Sequence, residues 1–100
     1  MILNRPAVAG TLESSDVQIT LRPNPEHGIH IELESDVKAL FGQDIENTIR
    51  DVLAQLGVRD ALVEVNDKGA LDFVIRARLE CAVCRAADVS FDWTREDVRG

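Results

Sequence analysis

Tyrosine is absent from this 100-residue chain, and only Phe41, Phe73, Phe91 and Trp93 are aromatic. Any core must therefore be aliphatic, built from Val, Ile, Leu and Ala. Positive charge is also scarce: 11 Lys and Arg stand against 18 Asp and Glu, for a net charge of −7. A chain with neither a cationic field nor a stacking platform is poorly made for nucleic acid. The longest apolar run is a handful of residues, far short of the roughly 20 that a membrane-spanning helix needs. The stretch Met1-Ile-Leu-Asn-Arg-Pro lacks the cationic start and apolar segment of a secretory signal. The chain has only 2 cysteines. They lie three residues apart, and with no secretory signal they point to a reducing cytoplasm.

What is present fits one folded domain. Apolar residues make up 45% of the chain, enough for a single core at this length. Pro6–Leu12 reads as a small extended run. Glu13-Ser14-Ser15-Asp16 has turn chemistry, since Ser and Asp side chains compete for local backbone hydrogen bonds. Val17, Ile19 and Leu21 then alternate with Gln18, Thr20 and Arg22, and Ile29, Ile31 and Leu33 alternate with His30, Glu32 and Glu34. Period two marks two half-buried strands. Pro23-Asn24-Pro25 and Gly28 separate them, so an antiparallel hairpin is the simplest expectation.

From Val37 to Leu56 apolar residues recur at helical spacing. Ser35 or Asp36 is expected to cap this helix, Gly42 to kink it and Gly57 to end it. Ala61–Asn66 reads as a strand and Asn66–Gly69 as a turn. Leu71, Val74, Ile75, Leu79, Ala82, Val83 and Ala86 mark a second helix. The expected order is β-β-β-α-β-α. The fold class is α+β: a two-layer sandwich in which two helices cover one face of a mostly antiparallel sheet of about four strands. Strand, helix and strand over 29–66 suit a parallel crossover, and the other sheet face is polar. Residues 1–87 form the domain; 88–100 read as a loosely held tail.

No constellation supports autonomous catalysis. Ser14 and Ser15 lack a nucleophile elbow, and His27 and His30, the only imidazoles, lie in or beside a loop. An exposed serine in a turn instead suits hydrogen bonding, or modification by another enzyme. Cys81 and Cys84 form a C-x-x-C late in the second helix. That is the wrong end for a redox site, and no second ligand pair exists for zinc, so packing is the expected role. Arg76 and Arg78 are two residues apart and do not share a helix face, so with Glu80 they read as a solvated surface. Asp67 disfavours an anion at the Asn66–Gly69 turn.

Three stretches, AVAGTLESSD at 7–16, VNDKGALD at 65–72 and IRARLE at 75–80, resemble the citrate lyase acyl carrier protein (gamma subunit) family in order and separation. The resemblance implies that a serine carries a prosthetic group through a phosphodiester. The group is phosphoribosyl-dephospho-CoA, of the 2'-(5''-triphosphoribosyl)-3'-dephospho-CoA type, with no metal. The first serine of the motif matches Ser14, the implied attachment site. The resemblance also implies partners: an alpha subunit that exchanges acetyl for citrate on the thiol, a beta subunit that cleaves the citryl thioester to oxaloacetate, and a prosthetic-group transferase (holo-citrate lyase synthase). The chain would be a cytoplasmic carrier subunit without an active site of its own, contacting neither nucleic acid nor membrane. Arg5, Arg22 and Lys68 are candidates to meet the arm's phosphates. The alternatives are the carrier subunit of malonate decarboxylase and a non-catalytic α+β interaction domain.

Overall fold

The computed structural model describes residues 1–88; the tail expected over 88–100 lies almost wholly outside them. The elements run β1 (Ala7–Gly10), β2 (Val17–Arg22), β3 (Ile29–Ser35), α1 (Lys38–Gln55), β4 (Ala61–Asp67) and α2 (Asp72–Ala86). The sheet order is β1-β2-β4-β3. β1 and β4 both pair antiparallel with β2, and β3 pairs parallel with β4. Two helices on a mixed, mainly antiparallel sheet are the α+β architecture that the patterning predicts.

The expected β2–β3 hairpin needs correction. The two strands do run in opposite directions, but β4 lies between them, bonded to both. Burial decides the order. β4 presents Ala61, Val63 and Val65 to the core, each no more than 3% exposed, and a central position keeps that row dry. β3 carries His30, Glu32 and Glu34 outward and buries only Leu33 among its apolar residues. Its charges suit an edge, where they deter pairing with another chain.

The core face of β2 (Val17, Ile19, Leu21) is fully buried. α2 lies over β1 and β2, α1 over β3, and the helices pack side by side. α1 buries Gly42, Ile45, Thr48, Ile49, Val52 and Leu53; α2 buries Ile75, Leu79, Ala82, Val83 and Ala86. Both sets follow the three-and-four spacing of one helical stripe. On the opposite sheet face Gln18, Thr20, Arg22, His30, Glu32 and Glu34 are exposed or half-buried. No helix among the described residues is long and apolar enough to cross a membrane.

Two details of α1 differ from expectation. Its N-cap is Val37, with no side-chain capping bond, because the Ser35 hydroxyl donates instead to Asp67 Oδ2 at 2.7 Å while accepting from Val37 N–H. Gly42 does not interrupt the helix. It is a packing glycine: a Cβ there would sit 3.1 Å from Lys38 Cγ and 3.8 Å from Leu33 Cδ2. Gly57 does end the helix with a φ of 71°.

Candidate functional site

The Thr11–Asp16 loop joins β1 to β2 at the end of the sheet where β4 leads into α2. Its shape begins with backbone constraints. Gly10 has a φ of 87°, and a Cβ there would fall 1.8 Å from the Val17 carbonyl oxygen; only glycine lets the strands start this close. Asp16 N–H donates to Glu13 O at 3.1 Å, closing a turn with Ser14 and Ser15 as its two central residues. Ser15 is held at a φ of 66°, a left-handed conformation that non-glycine residues adopt only when their surroundings impose it.

Those surroundings come from two directions. Ser15 N–H donates to Lys68 O at 2.8 Å, and Lys68 N–H donates to Asp16 O at 2.9 Å, stitching the serine loop to the β4–α2 loop. The Asp16 carboxylate then accepts four hydrogen bonds. Thr11 Oγ1 donates to Oδ2 at 2.6 Å and Val17 N–H to Oδ1 at 2.8 Å. Arg78, from α2, reaches both oxygens: Nε to Oδ1 at 3.1 Å and Nη2 to Oδ2 at 2.8 Å. This is the bidentate fork that guanidinium and carboxylate make best. The Arg78 bonds first, then Thr11 and the Val17 amide, hold the Asp16 carboxyl far below the usual carboxylate range. The same pairing raises Arg78.

At the crown of this clasp Ser14 is exposed. The two histidines are far away. His27 sits in the loop at the opposite end of the sheet, beside Asp60. His30 pairs with Leu62, five positions along β3 from the Ser35–Asp67 pair, about 17 Å at ~3.3 Å per residue. No Ser–His couple forms, as the sequence indicates.

The remaining candidates scatter. Arg76 pairs with Asp72 and Asp51, tying α2 to α1 and leaving Arg78 to act alone, as the i, i+2 spacing requires. Cys81 and Cys84 are half-buried in the second half of α2. Among the described residues no group of three or more His, Cys, Asp or Glu could hold a metal. Asp67 ends β4 and bonds Ala70 N–H at 2.9 Å, which closes the turn expected of Asn66–Gly69 but does not cap α2, whose N-cap Leu71 has no side-chain bond. Of the three cations considered for the arm, Arg22 pairs with Glu64 and Arg5 with Asp88. Both lie toward the far end of the sheet, where Ala7 opposes Leu21. Lys68 belongs to the serine loop's backbone network and also lines a hollow with Glu34, Ser35 and Asp36. Sequence reasoning missed the Asp16–Arg78 clasp, because 62 residues separate its partners and no local pattern joins them.

An exposed serine in a turn held by its neighbours is suited to a covalent attachment made from outside. A family profile described as malonate decarboxylase delta subunit (MdcD) matches residues 4–86. A citrate lyase acyl carrier protein of Clostridium perfringens is 48% identical over 94 residues, 93% of each chain. Citrate lyase acyl carrier protein 2 of Salmonella typhimurium is 54% identical over 88 residues, 88% of this chain and 91% of that one. Among solved structures, a Pseudomonas malonate decarboxylase hetero-tetramer in complex with malonate has a chain that superposes with a TM-score of 0.53. It is 21% identical, and the match covers 86% of this chain and 92% of that one. That likeness is one of fold.

Proposed function

The chain belongs to the citrate lyase acyl carrier protein family, and on that premise we propose that it is the acyl carrier subunit of a citrate lyase, loaded on Ser14. The observation that supports the site assignment is the presentation of Ser14, the first serine of the family motif: it is exposed in a turn whose Ser15 and Asp16 backbone is bonded to Lys68 and whose Asp16 carboxylate is held by Arg78. The prosthetic group is phosphoribosyl-dephospho-CoA, joined by a phosphodiester. When bound, it supplies a thiol that carries acyl groups as thioesters between the alpha and beta subunits.

The chain's own residues do simpler work. The Ser14 hydroxyl is the nucleophile in loading, and the transferase supplies the base. Loading would join Ser14 Oγ to the group through a phosphodiester, with pyrophosphate leaving the triphosphoribosyl donor and the hydroxyl proton passing to the transferase's base. After loading, the turn held by Lys68 and Arg78 would anchor the root of the arm. Tethering presents the acyl group to both partner sites at high effective concentration. Residues 1–87 act as the carrier domain in the cytoplasm.

Intact-mass measurement on chain produced with its transferase tests the assignment. The wild-type chain gains one phosphoribosyl-dephospho-CoA, and Ser14→Ala gains nothing. A persistent increment in Ser14→Ala, or one mapped to Ser15, rejects Ser14. The malonate decarboxylase reading has support in the matching family profile and the shared fold. Turnover of citrate but not malonate by the complex reconstituted around the loaded chain separates the two; the identity to citrate lyase carriers favours citrate.

A further inference from the structure

We propose that Arg78 is a positioning residue for group transfer to Ser14: acting through Asp16, it holds the Glu13–Asp16 turn in the form that offers the serine hydroxyl, and it cancels the carboxylate charge that an anionic donor would otherwise meet. The inference rests on the reading of Ser14 as the attachment site.

Three observations carry it. The first is that the arginine is anchored. It stands on α2 between Ile75 and Leu79, which are 2% and 0% exposed, so its guanidinium is held by an element that cannot shift without opening the core. The second is access. The Arg78 stem passes Gly10, where an added Cβ would lie 3.3 Å from Arg78 Cδ as well as striking the Val17 carbonyl. Bare backbone at residue 10 thus serves both the close strand pair and the arginine's path. The third is that the turn needs holding. Ser15 occupies a left-handed conformation that an unsupported loop would relax. Asp16, next in sequence and only 14% exposed at its side chain, is fixed by Arg78 at both oxygens.

The electrostatics point the same way. Transfer brings a polyphosphate to within two residues of Asp16 and releases pyrophosphate as the Ser14 Oγ–P bond forms, with the proton passing to the transferase. An unpaired carboxylate there would repel both donor and leaving group; the fork leaves the pair neutral. Glu13 is the other acidic residue of the loop, and it is exposed to solvent, where its field is screened.

The test uses the full apo chain, purified transferase and triphosphoribosyl-dephospho-CoA, with loading followed by intact mass and amide exchange measured on the apo chain alone. Arg78→Gln should lower kcat/KM for loading by about tenfold or more, since small displacements of a reacting group cost rate steeply, and should raise KM for the donor. It should also speed exchange at the Ser15, Asp16 and Val17 amides while Ile19, Val63 and Leu79 keep their protection. Arg78→Lys restores charge without the fork, so it should recover the donor KM but not the local protection. Asp16→Asn should loosen the turn without raising the donor KM, and with Arg78→Lys it carries the test if Arg78→Gln does not fold. Wild-type loading in Arg78→Gln, or slow loading with unchanged exchange at the turn, overturns the positioning role. Continued loading of Ser14→Ala overturns instead the attachment reading beneath it.

Discussion

At the scale of single residues, the described polar groups that leave water are ones the fold cannot do without. Asp67 is 1% exposed. One of its oxygens accepts from the Ser35 hydroxyl and the other from Ala70 N–H, so one carboxylate joins the end of β3, the end of β4 and the entry to α2. Asp67→Ala strands both donors, and a buried donor without a partner costs about 1–3 kcal/mol. The urea unfolding midpoint should fall accordingly, and Asp67→Asn should recover part of the loss. Only the bond to Ala70 N–H is legible locally. Asp67 in N-D-K-G reads as a turn residue, which it is, but its burial follows from Ser35 arriving on the neighbouring strand. Ser35 illustrates the reverse case: its type and place predict a helix cap, yet a buried carboxylate across the sheet takes its hydroxyl.

At the scale of elements, periodicity identifies faces well. α2 separates cleanly into Leu79, fully buried, and Phe73, 68% exposed. Leu79→Ala should destabilise by about 2–5 kcal/mol through lost burial and the cavity left behind. Phe73→Ser should stay within roughly 0.5 kcal/mol, as surface changes do. Chemical denaturation of both variants checks the pair, and equal losses would mean that α2 is rotated relative to this packing. Neighbour relations are a different matter. β2 and β3 each announce a half-buried strand, but alternation carries no record of which strand lies alongside. β4 enters between them because its apolar row needs cover on both sides and β3's charges do not. The serine turn shows the same division. Its turn chemistry and exposure are visible in E-S-S-D, whereas the clasp that shapes it requires α2 to be laid across β1 and β2.

At the scale of the molecule, several carboxylates are tied into the fold in their charged form. Asp16 is lowered chiefly by Arg78, Asp60 by the Gly28 N–H, and Asp72 by the Thr48 hydroxyl and then Arg76. Each titrates lower in the folded chain than in the unfolded one, so the unfolded state takes up protons first as pH falls. Their contribution is fully present above the ordinary Asp value of about 3.9 and is lost as pH drops through the folded values. Urea midpoints should therefore be flat from neutrality to about pH 5 and decline below about pH 4. Asp72→Asn should make that acid limb shallower. A midpoint that rises on acidification would contradict these pairings.

The class of fold and the faces of each element follow from the sequence alone, because hydrophobic period and turn chemistry are properties of neighbouring residues. The sequence also carried the family, through motifs whose order and separation survive without coordinates. The tertiary structure alone decided which strands touch, that Ser35 serves Asp67 rather than a helix end, and that Arg78 reaches 62 residues back to Asp16. Those outcomes depend on burial and charge pairing between segments far apart in the chain, where the energy belongs to the assembled pair and to neither stretch of sequence alone.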